Sequence, residues 1–175
     1  MRESSEELDR LQGLLGTSLS GATAHLRSIV GTAPRASAAQ VAAMLHGMCT
    51  LAVSTVTAQG EPRISAVDGH FLHGMWHFGT ARGAAKARHL DARPQVSVAL
   101  LRGEELGVFV HGTAETLNPA GRPADPEWPE VLAYLQEFYG ADAFDWEHDV
   151  VYFRVRPHWM AVYAPALAEP APEKQ

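Results

Sequence analysis

A succession of short β-forming stretches, each closed by a turn signal, limits what this chain can fold into more than any other feature. Cys49 to Thr57 is dense in Thr, Val and Leu, the composition of a buried strand. Ala58-Gln59-Gly60-Glu61 is a turn, and Pro62 restarts the chain in extended form. Arg63 to Leu72 reads as a second strand, with Gly69 marking a bulge or a close backbone approach. His73-Gly74 predicts a tight hairpin into a third strand, Met75 to Thr80. Gln95 to Leu101 sets Val96, Val98 and Leu100 on one face and serine on the other. After the turn at Arg102-Gly103-Glu104, Leu106 to Leu117 alternates Leu106, Val108, Val110 and Gly112 with Gly107, Phe109 and His111. Val150 to Val155 and Trp159 to Tyr163 read as closing strands on either side of Pro157. Six to seven antiparallel strands in one domain tend to close or to sandwich, because closure removes exposed edges. The expected class is mainly β with peripheral helices.

The helical signals are fewer. Leu8, Leu11, Leu15 and Leu19 recur at three- and four-residue steps and form one apolar stripe. Gly13 and Gly16 weaken that helix, so it needs a surface to pack on. Gly31 to Ala36, with Pro34, reads as a linker. Ser37 and Gln40 have the spacing of a capping box ahead of Val41, Met44 and Leu45, which predicts a short helix to about His46. Gly83 to Asp91 is rich in helix formers, carries a polar and basic face, and is ended by Pro94. A loop from Asn118 to Pro129 carries four prolines; Glu130 to Tyr139 then sets Val131, Tyr134, Leu135 and Phe138 on one helical face. The expected organisation is a helical extension and linker over 1–36, a β domain over 37–164, and a Pro/Ala-rich disordered tail over 165–175.

Composition removes several function classes. Of 175 residues, 46% are apolar and 19% charged, as in ordinary globular proteins. A net charge of -6 gives no overall basic field, so neither nucleic acid nor a membrane surface is an expected partner, and any phosphate site must be local. The single cysteine, Cys49, excludes an internal disulfide framework and a Cys-rich zinc site, and reads as a small core residue. The polar start, Met1 to Arg10, is no secretory signal and no run reaches the length of a membrane-spanning helix. A cytoplasmic protein is expected.

One stretch carries a chemical signal. Thr80-Ala81-Arg82-Gly83-Ala84-Ala85-Lys86 runs from a strand end into a helix start. Unpaired N–H groups there, the positive end of the helix and the Thr80 hydroxyl make an anion pocket. Lys86 sits one turn in and can reach back as a point charge, while Arg63 begins a neighbouring strand and can bind phosphate oxygens in bidentate fashion. The same residues would equally serve a solvated basic helix, with Arg82, Lys86 and Arg88 at the surface.

Arg63-Ile64-Ser65-Ala66-Val67-Asp68, Phe78-Gly79-Thr80, Gly83-Ala84-Ala85-Lys86 and Leu90-Asp91-Ala92-Arg93-Pro94 stand in an order and spacing that resembles the pyridoxamine 5′-phosphate oxidase-like, FMN-binding split-barrel family. Val110-His111-Gly112-Thr113-Ala114-Glu115 resembles the family's following strand, and the resemblance covers roughly Ala39 to Tyr163. It implies a split β-barrel and an obligate homodimer whose two subunits form the cofactor site together. Arg63 matches the arginine that binds the flavin phosphate, and Ile64, Ser65, Ala66, Val67 and Asp68 match the strand lining the isoalloxazine ring. Gly79 and Thr80 match a pair contacting the phosphate or ribityl chain, and Lys86 the phosphate-binding lysine. The basic residue that often precedes that lysine is Ala85 here; Arg82 or Arg88 would take its place. A glutamine that reaches the ring falls at about Gly107.

Arg154-Val155-Arg156-Pro157-His158-Trp159 does not reproduce the oxidase's C-terminal Arg-Leu-His-type motif, which argues against vitamin B6 oxidase activity. The N-terminal helical extension is similar instead to the actinobacterial branch of flavin- and deazaflavin-dependent reductases, which use FMN or coenzyme F420. The implied activity is oxidoreduction of a small organic substrate, with a non-catalytic FMN, F420 or haem carrier as the alternative. Arg82, Arg88 and Arg93 would suit the acidic tail of F420. His111 or His158 would be the axial ligand if the group were haem. Hydride chemistry belongs to the cofactor, so no catalytic triad is needed. Asp68 and His70, near the expected ring wall, are candidates to tune the ring or pass a proton, or are structural residues at a strand bend. Trp76 is expected to fill the core, with stacking near the cofactor as the alternative. His70, His73 and His77 have helical metal-ligand spacing, but on strands joined by a turn their side chains are expected to diverge, and no metal is expected.

Overall fold

The computed structural model describes residues 3–30, 36–140 and 149–167. The expected hairpin shows how the sheet starts. His73 and Gly74 both take positive φ, 55° and 76°, the left-handed pair that a two-residue turn needs to follow strand twist. They join β2 (Pro62–Leu72) to β3 (Met75–Ala81), and β1 (Met48–Val56) pairs along the other side of β2. β4 (Gln95–Arg102) and β5 (Leu106–Thr116) form the next hairpin, and β6 (Val150–Tyr163) lies between β5 and β3. β4 pairs back onto β1, which closes an antiparallel barrel in the order β1-β2-β3-β6-β5-β4. The mainly-β split barrel with a helical extension is the architecture found.

The last strand departs from expectation. Instead of two strands flanking Pro157, β6 is continuous through it. The register slips from His111↔Trp159 to Gly112↔Pro157, so His158 is the extra residue of a bulge. A proline has no N–H for the ladder, and a bulge is where a strand tolerates one. Gly112 makes room for this, since a Cβ there would sit 2.4 Å from the Arg156 carbonyl oxygen. Gly69, by contrast, lies in an unbroken ladder and marks a close approach: its Cβ would fall 2.2 Å from Leu51 Cδ1.

Alternating residues fill the interior. Leu51, Val53, Val67, Trp76, Phe78, Val98, Val108, Val110 and Val155 are buried in one cluster, with Trp76 in the core as expected and Cys49 beside it. Three helices add to that cluster. α1 (Ser5–Ser20) contributes Leu11, α3 (Ala38–Met44) contributes Val41, and α4 (Ala85–Ala92) contributes Ala87 and Leu90. The N-terminal stripe therefore packs on the barrel: Ser18 Oγ accepts from the Met160 amide at 3.0 Å and Gln12 Oε1 from the Ala38 amide at 2.9 Å. The short α2 (Ala24–Val30) follows α1. The expected capping box at Ser37 and Gln40 is present, and so is one at Ser4 and Glu7. The expected linker lies almost entirely outside the described residues. So does the tail beyond Leu167; before it, Pro165–Leu167 form a short 3-10 turn.

α5 (Trp128–Tyr139) starts two residues earlier than expected, because the first turn of a helix accepts Pro129 without loss of a hydrogen bond. It covers a second cluster on the outside of the barrel, where Trp128, Val131, Tyr134 and Leu135 meet Leu72, Leu117, Val150 and Tyr152. Among the described residues no helix is long and apolar enough to cross a membrane. Gly112→Ala should lower stability by about 2 kcal/mol by driving a methyl group into the β6 backbone, while Gly13→Ala, in open space on α1, should not lower it; urea denaturation of both variants checks the order.

Candidate functional site

The barrel has a seam. β2 and β3 pair only between Gly69↔Phe78 and Leu72↔Met75. Upstream of Gly69, β2 keeps its ladder to β1 but has no ladder partner on the β3 side, while β3 runs on against β6 to Ala81. Continuing the β2/β3 register would set Thr80 across from Val67, so the strands part where the candidate residues lie. The backbone groups on that edge of β2 are free to meet a planar polar ligand, as in edge-strand recognition.

α4 begins at the end of β3, beside the seam. Its N-cap is Ala84, which gives no side-chain hydrogen bond, whereas α1 and α3 each have a full capping box. The first-turn N–H groups of α4 are thus left for an anion. Lys86 Nζ donates to Thr80 Oγ1 at 3.3 Å, so the structure brings this expected pair together. The same face of α4 turns to β1, where His89 Nδ1 and Thr55 Oγ1 are 3.0 Å apart and Arg93 Nε donates to the Val56 carbonyl at 3.0 Å. Thr55 is the ladder partner of Arg63. Arg63 itself is exposed and donates to Glu61 at 2.6 Å. An exposed pair of this kind contributes little and exchanges readily.

The remaining expected residues divide. On β2, Val67 points into the core, Ser65 is half-buried, and Ile64, Ala66 and Asp68 are exposed, Ile64 at 75%. Gly79 is a packing residue: a Cβ there would lie 2.8 Å from the Tyr152 ring. Arg88 is not brought to Lys86. Two residues apart on a helix is about 200° of rotation, and Arg88 donates to the Gly83 carbonyl and lines a separate cleft with Arg82 and Arg122. Arg82 also donates to the Asn118 carbonyl. Gly107 is buried at the start of β5.

The histidines also differ from expectation. His70 and His77 do not diverge; they face each other across the β2/β3 ladder, with His73 in the turn. His73 Nδ1 lies 2.9 Å from Glu7 and Nε2 3.4 Å from Glu130, tying α1 and α5 to the hairpin. Among the described residues no three His, Cys, Asp or Glu side chains are placed to hold a metal ion. His111 lies on the outer face of β5, its Nδ1 2.8 Å from Ser97 Oγ and its ring stacked on Trp159 at 4.7 Å. His158 occupies the β6 bulge.

Sequence reasoning missed how His70 is held. It is 3% exposed, with Nδ1 2.9 Å from Tyr134 Oη and Nε2 2.9 Å from Tyr139 Oη. Burial pushes its pKa down to about 4, against an opposing pull from Asp68. His77, also buried, is pushed down to about 3. Both are neutral near pH 7, so one tyrosine donates to His70 and the other accepts from it. The Arg154 network was missed as well: buried beneath the loop before α5, its guanidinium binds Glu115, Asp125 and Glu127, and Arg156 joins at Glu115. The spacing of these residues along the chain carries no signal of either cluster.

These two histidines fix the sign of one pH effect. Their folded pKa values lie below the ordinary value of 6.5, so the unfolded chain binds more protons between pH 6.5 and about 4. Stability is full above pH 6.5 and falls as pH drops through that window. His70→Gln should make the fall shallower, which urea midpoints measured from pH 7 to pH 4 would detect; an unchanged slope would remove His70 from this account.

Comparison with known proteins adds the family. The family model described as pyridoxamine 5′-phosphate oxidase matches residues 37–163. No curated protein sequence matches this chain. Among solved structures, a conserved hypothetical protein, Rv2991, from Mycobacterium tuberculosis is 20% identical, with a TM-score of 0.62 over 81% of this chain and 93% of its own. HutZ, a haem storage protein from Vibrio cholerae, is 22% identical, with a TM-score of 0.56 over 68% and 87%. An F420 reductase is 20% identical, with a TM-score of 0.51 over 68% and 94%. At these identities the structures share the fold alone. The matched residues run from the α3 cap to the end of β6, and the chain belongs to the pyridoxamine 5′-phosphate oxidase family.

Proposed function

We propose that this protein binds a flavin-type cofactor, FMN or the deazaflavin F420, by its phosphate at the β3–α4 corner, and that it is an oxidoreductase acting on a small organic molecule. The observation that carries the reading is the Lys86–Thr80 pair at the uncapped start of α4, beside a stretch of β2 with no partner on its seam side. The residues fit such a group. An anion has N–H donors, a hydroxyl and a lysine at one end; a planar ring has a bare strand edge along Ile64–Asp68. Arg63 would leave its exposed pairing with Glu61 to bind the phosphate. When bound, the cofactor supplies the hydride chemistry; the protein anchors the phosphate, shapes the ring pocket and orients the substrate. FMN is the first choice, because Arg88, one of the arginines suited to the acidic tail of F420, turns away from Lys86.

A homodimer belongs to the same reading. The outer face of β2-β1-β4-β5 carries exposed Met48, Ile64, Leu101 and Phe109 with small residues between them. Such a contiguous apolar face calls for a cover, and the family's dimers provide one. The alternative is non-catalytic binding. Its support is that one similar structure is named as a haem storage protein, and that His111 is held in place on the outer face by Ser97 and Trp159.

Titration of the purified protein with FMN, F420 and haem, followed by absorption, separates these readings. FMN or F420 binding should weaken by about 100-fold or more in the double variant Arg63→Ala, Lys86→Ala, since each removes a hydrogen bond to a charged group worth about 1.5–3 kcal/mol. Unchanged affinity would sink the phosphate assignment. Ile64→Asp with Leu101→Asp should convert a dimer into a monomer in sedimentation equilibrium.

A further inference from the structure

The register shift between β5 and β6 gathers two histidines on the outside of the barrel. Pairing runs His111↔Trp159 and then Gly112↔Pro157, so His158 and Trp159 together stand opposite His111. Simple alternation would set Arg156 and Trp159 on opposite faces of β6. The extra residue removes that difference. Arg156 is exposed opposite Thr113, and Trp159 lies against the His111 ring on the outer face. A bulge re-aims a side chain, and here it leaves His158 exposed beside that stacked pair.

His111 is held as a metal-binding histidine is held. Its Nδ1 lies 2.8 Å from Ser97 Oγ on β4, and its ring stacks on Trp159 at 4.7 Å with 21° between the planes. Position and tilt of the ring are thereby set from two sides. Nε2 has no hydrogen-bond partner among the described residues. At metal centres one imidazole nitrogen binds the ion while the other is hydrogen-bonded, which fixes tautomer and orientation. With Nδ1–H donating to Ser97, the lone pair of His111 is on Nε2. Burial, and after it the neighbouring His158, hold the His111 pKa below its ordinary value, so the ring is neutral near pH 7.

The surroundings suit a cation bound by nitrogen. His158 makes no hydrogen bond among the described residues. Arg156 sends its guanidinium to Glu115, at 2.6 and 3.0 Å, two residues beyond its ladder partner Thr113 and away from His111. Among the described residues no Cys, Asp or Glu completes a third ligand position. A donor set of imidazoles alone favours late transition ions, whereas magnesium and calcium need oxygen ligands.

We propose that His111 and His158 bind one divalent late transition ion, of the class of zinc, nickel and copper, with Ser97 orienting His111. Water fills the remaining positions, and the ion clips β5 to the bulge of β6. The site lies on β5 and β6 and does not rest on the cofactor reading of the seam.

The test titrates zinc, nickel or magnesium ions alone into the full chain, followed by calorimetry. Zinc and nickel should each bind at one ion per chain, and magnesium should give no heat at the same concentration. Saturating zinc should raise the thermal midpoint, because the ion binds only the folded chain. Nickel should quench the fluorescence of Trp159. Trp159→Phe should keep the affinity and lose most of that quenching. His111→Ala and His158→Ala are surface changes with little effect on the metal-free fold, which their thermal midpoints without metal check. Each should weaken binding by about 100-fold, and Ser97→Ala by about tenfold, the scale on which outer hydrogen bonds act at metal centres. Absence of binding by zinc and nickel would overturn the proposal. So would affinity unchanged in either histidine variant, which would assign the ion to another place, or magnesium binding as tightly as zinc.

Discussion

The parting of β2 from β3 at Gly69 is the constraint on which the rest of the molecule depends. The hairpin at His73-Gly74 locks the two strands together over four residue pairs. Beyond them β3 stays with β6 and then turns into α4, while β2 stays with β1. Gly69 eases the divergence, because the absence of a Cβ lets Leu51 press against the β2 backbone from inside. One edge of backbone is left without a partner, and a helix start without a cap lies beside it. Backbone groups without a ladder partner on that edge are open to other hydrogen bonds.

The outside of the barrel is held by a different balance. α5 adds its own apolar cluster over the ends of β2 and β5 and the start of β6, yet two polar groups lie beneath and beside it. His70 and Arg154 are both nearly inaccessible, and each has its polar atoms engaged: His70 by two tyrosines, Arg154 by three carboxylates. Buried polar groups are tolerated when fully paired, and they then fix one arrangement more sharply than apolar packing does. Here they fix the placing of α5 and the preceding loop.

The strands, the two-residue hairpin, the Ser37 cap and the apolar stripe of α1 were legible in advance. So was the Thr80–Lys86 pair, because six residues from a strand end into the first turn of a helix leave few places for the lysine to go. The continuous β6 was not legible. Pro157 argues for a break, and only the opposing Gly112 and the bulge at His158 let the strand pass. Arg88 leaves α4 on another side from Lys86, because a helix turns residues two apart by about 200°, and its guanidinium reaches the Gly83 carbonyl.

By itself the sequence determined the class of fold, its turns, its helix ends and the corner where Thr80 and Lys86 meet. All of these are written in patterns that span a few residues and act through backbone geometry. Tertiary structure alone decided that the barrel opens beside β2, that His70 meets a tyrosine 69 residues further on, and that Arg154 gathers carboxylates from β5 and a distant loop. Those outcomes depend on which strands become neighbours once the barrel closes, and contacts between residues so far apart leave no periodic trace along the chain.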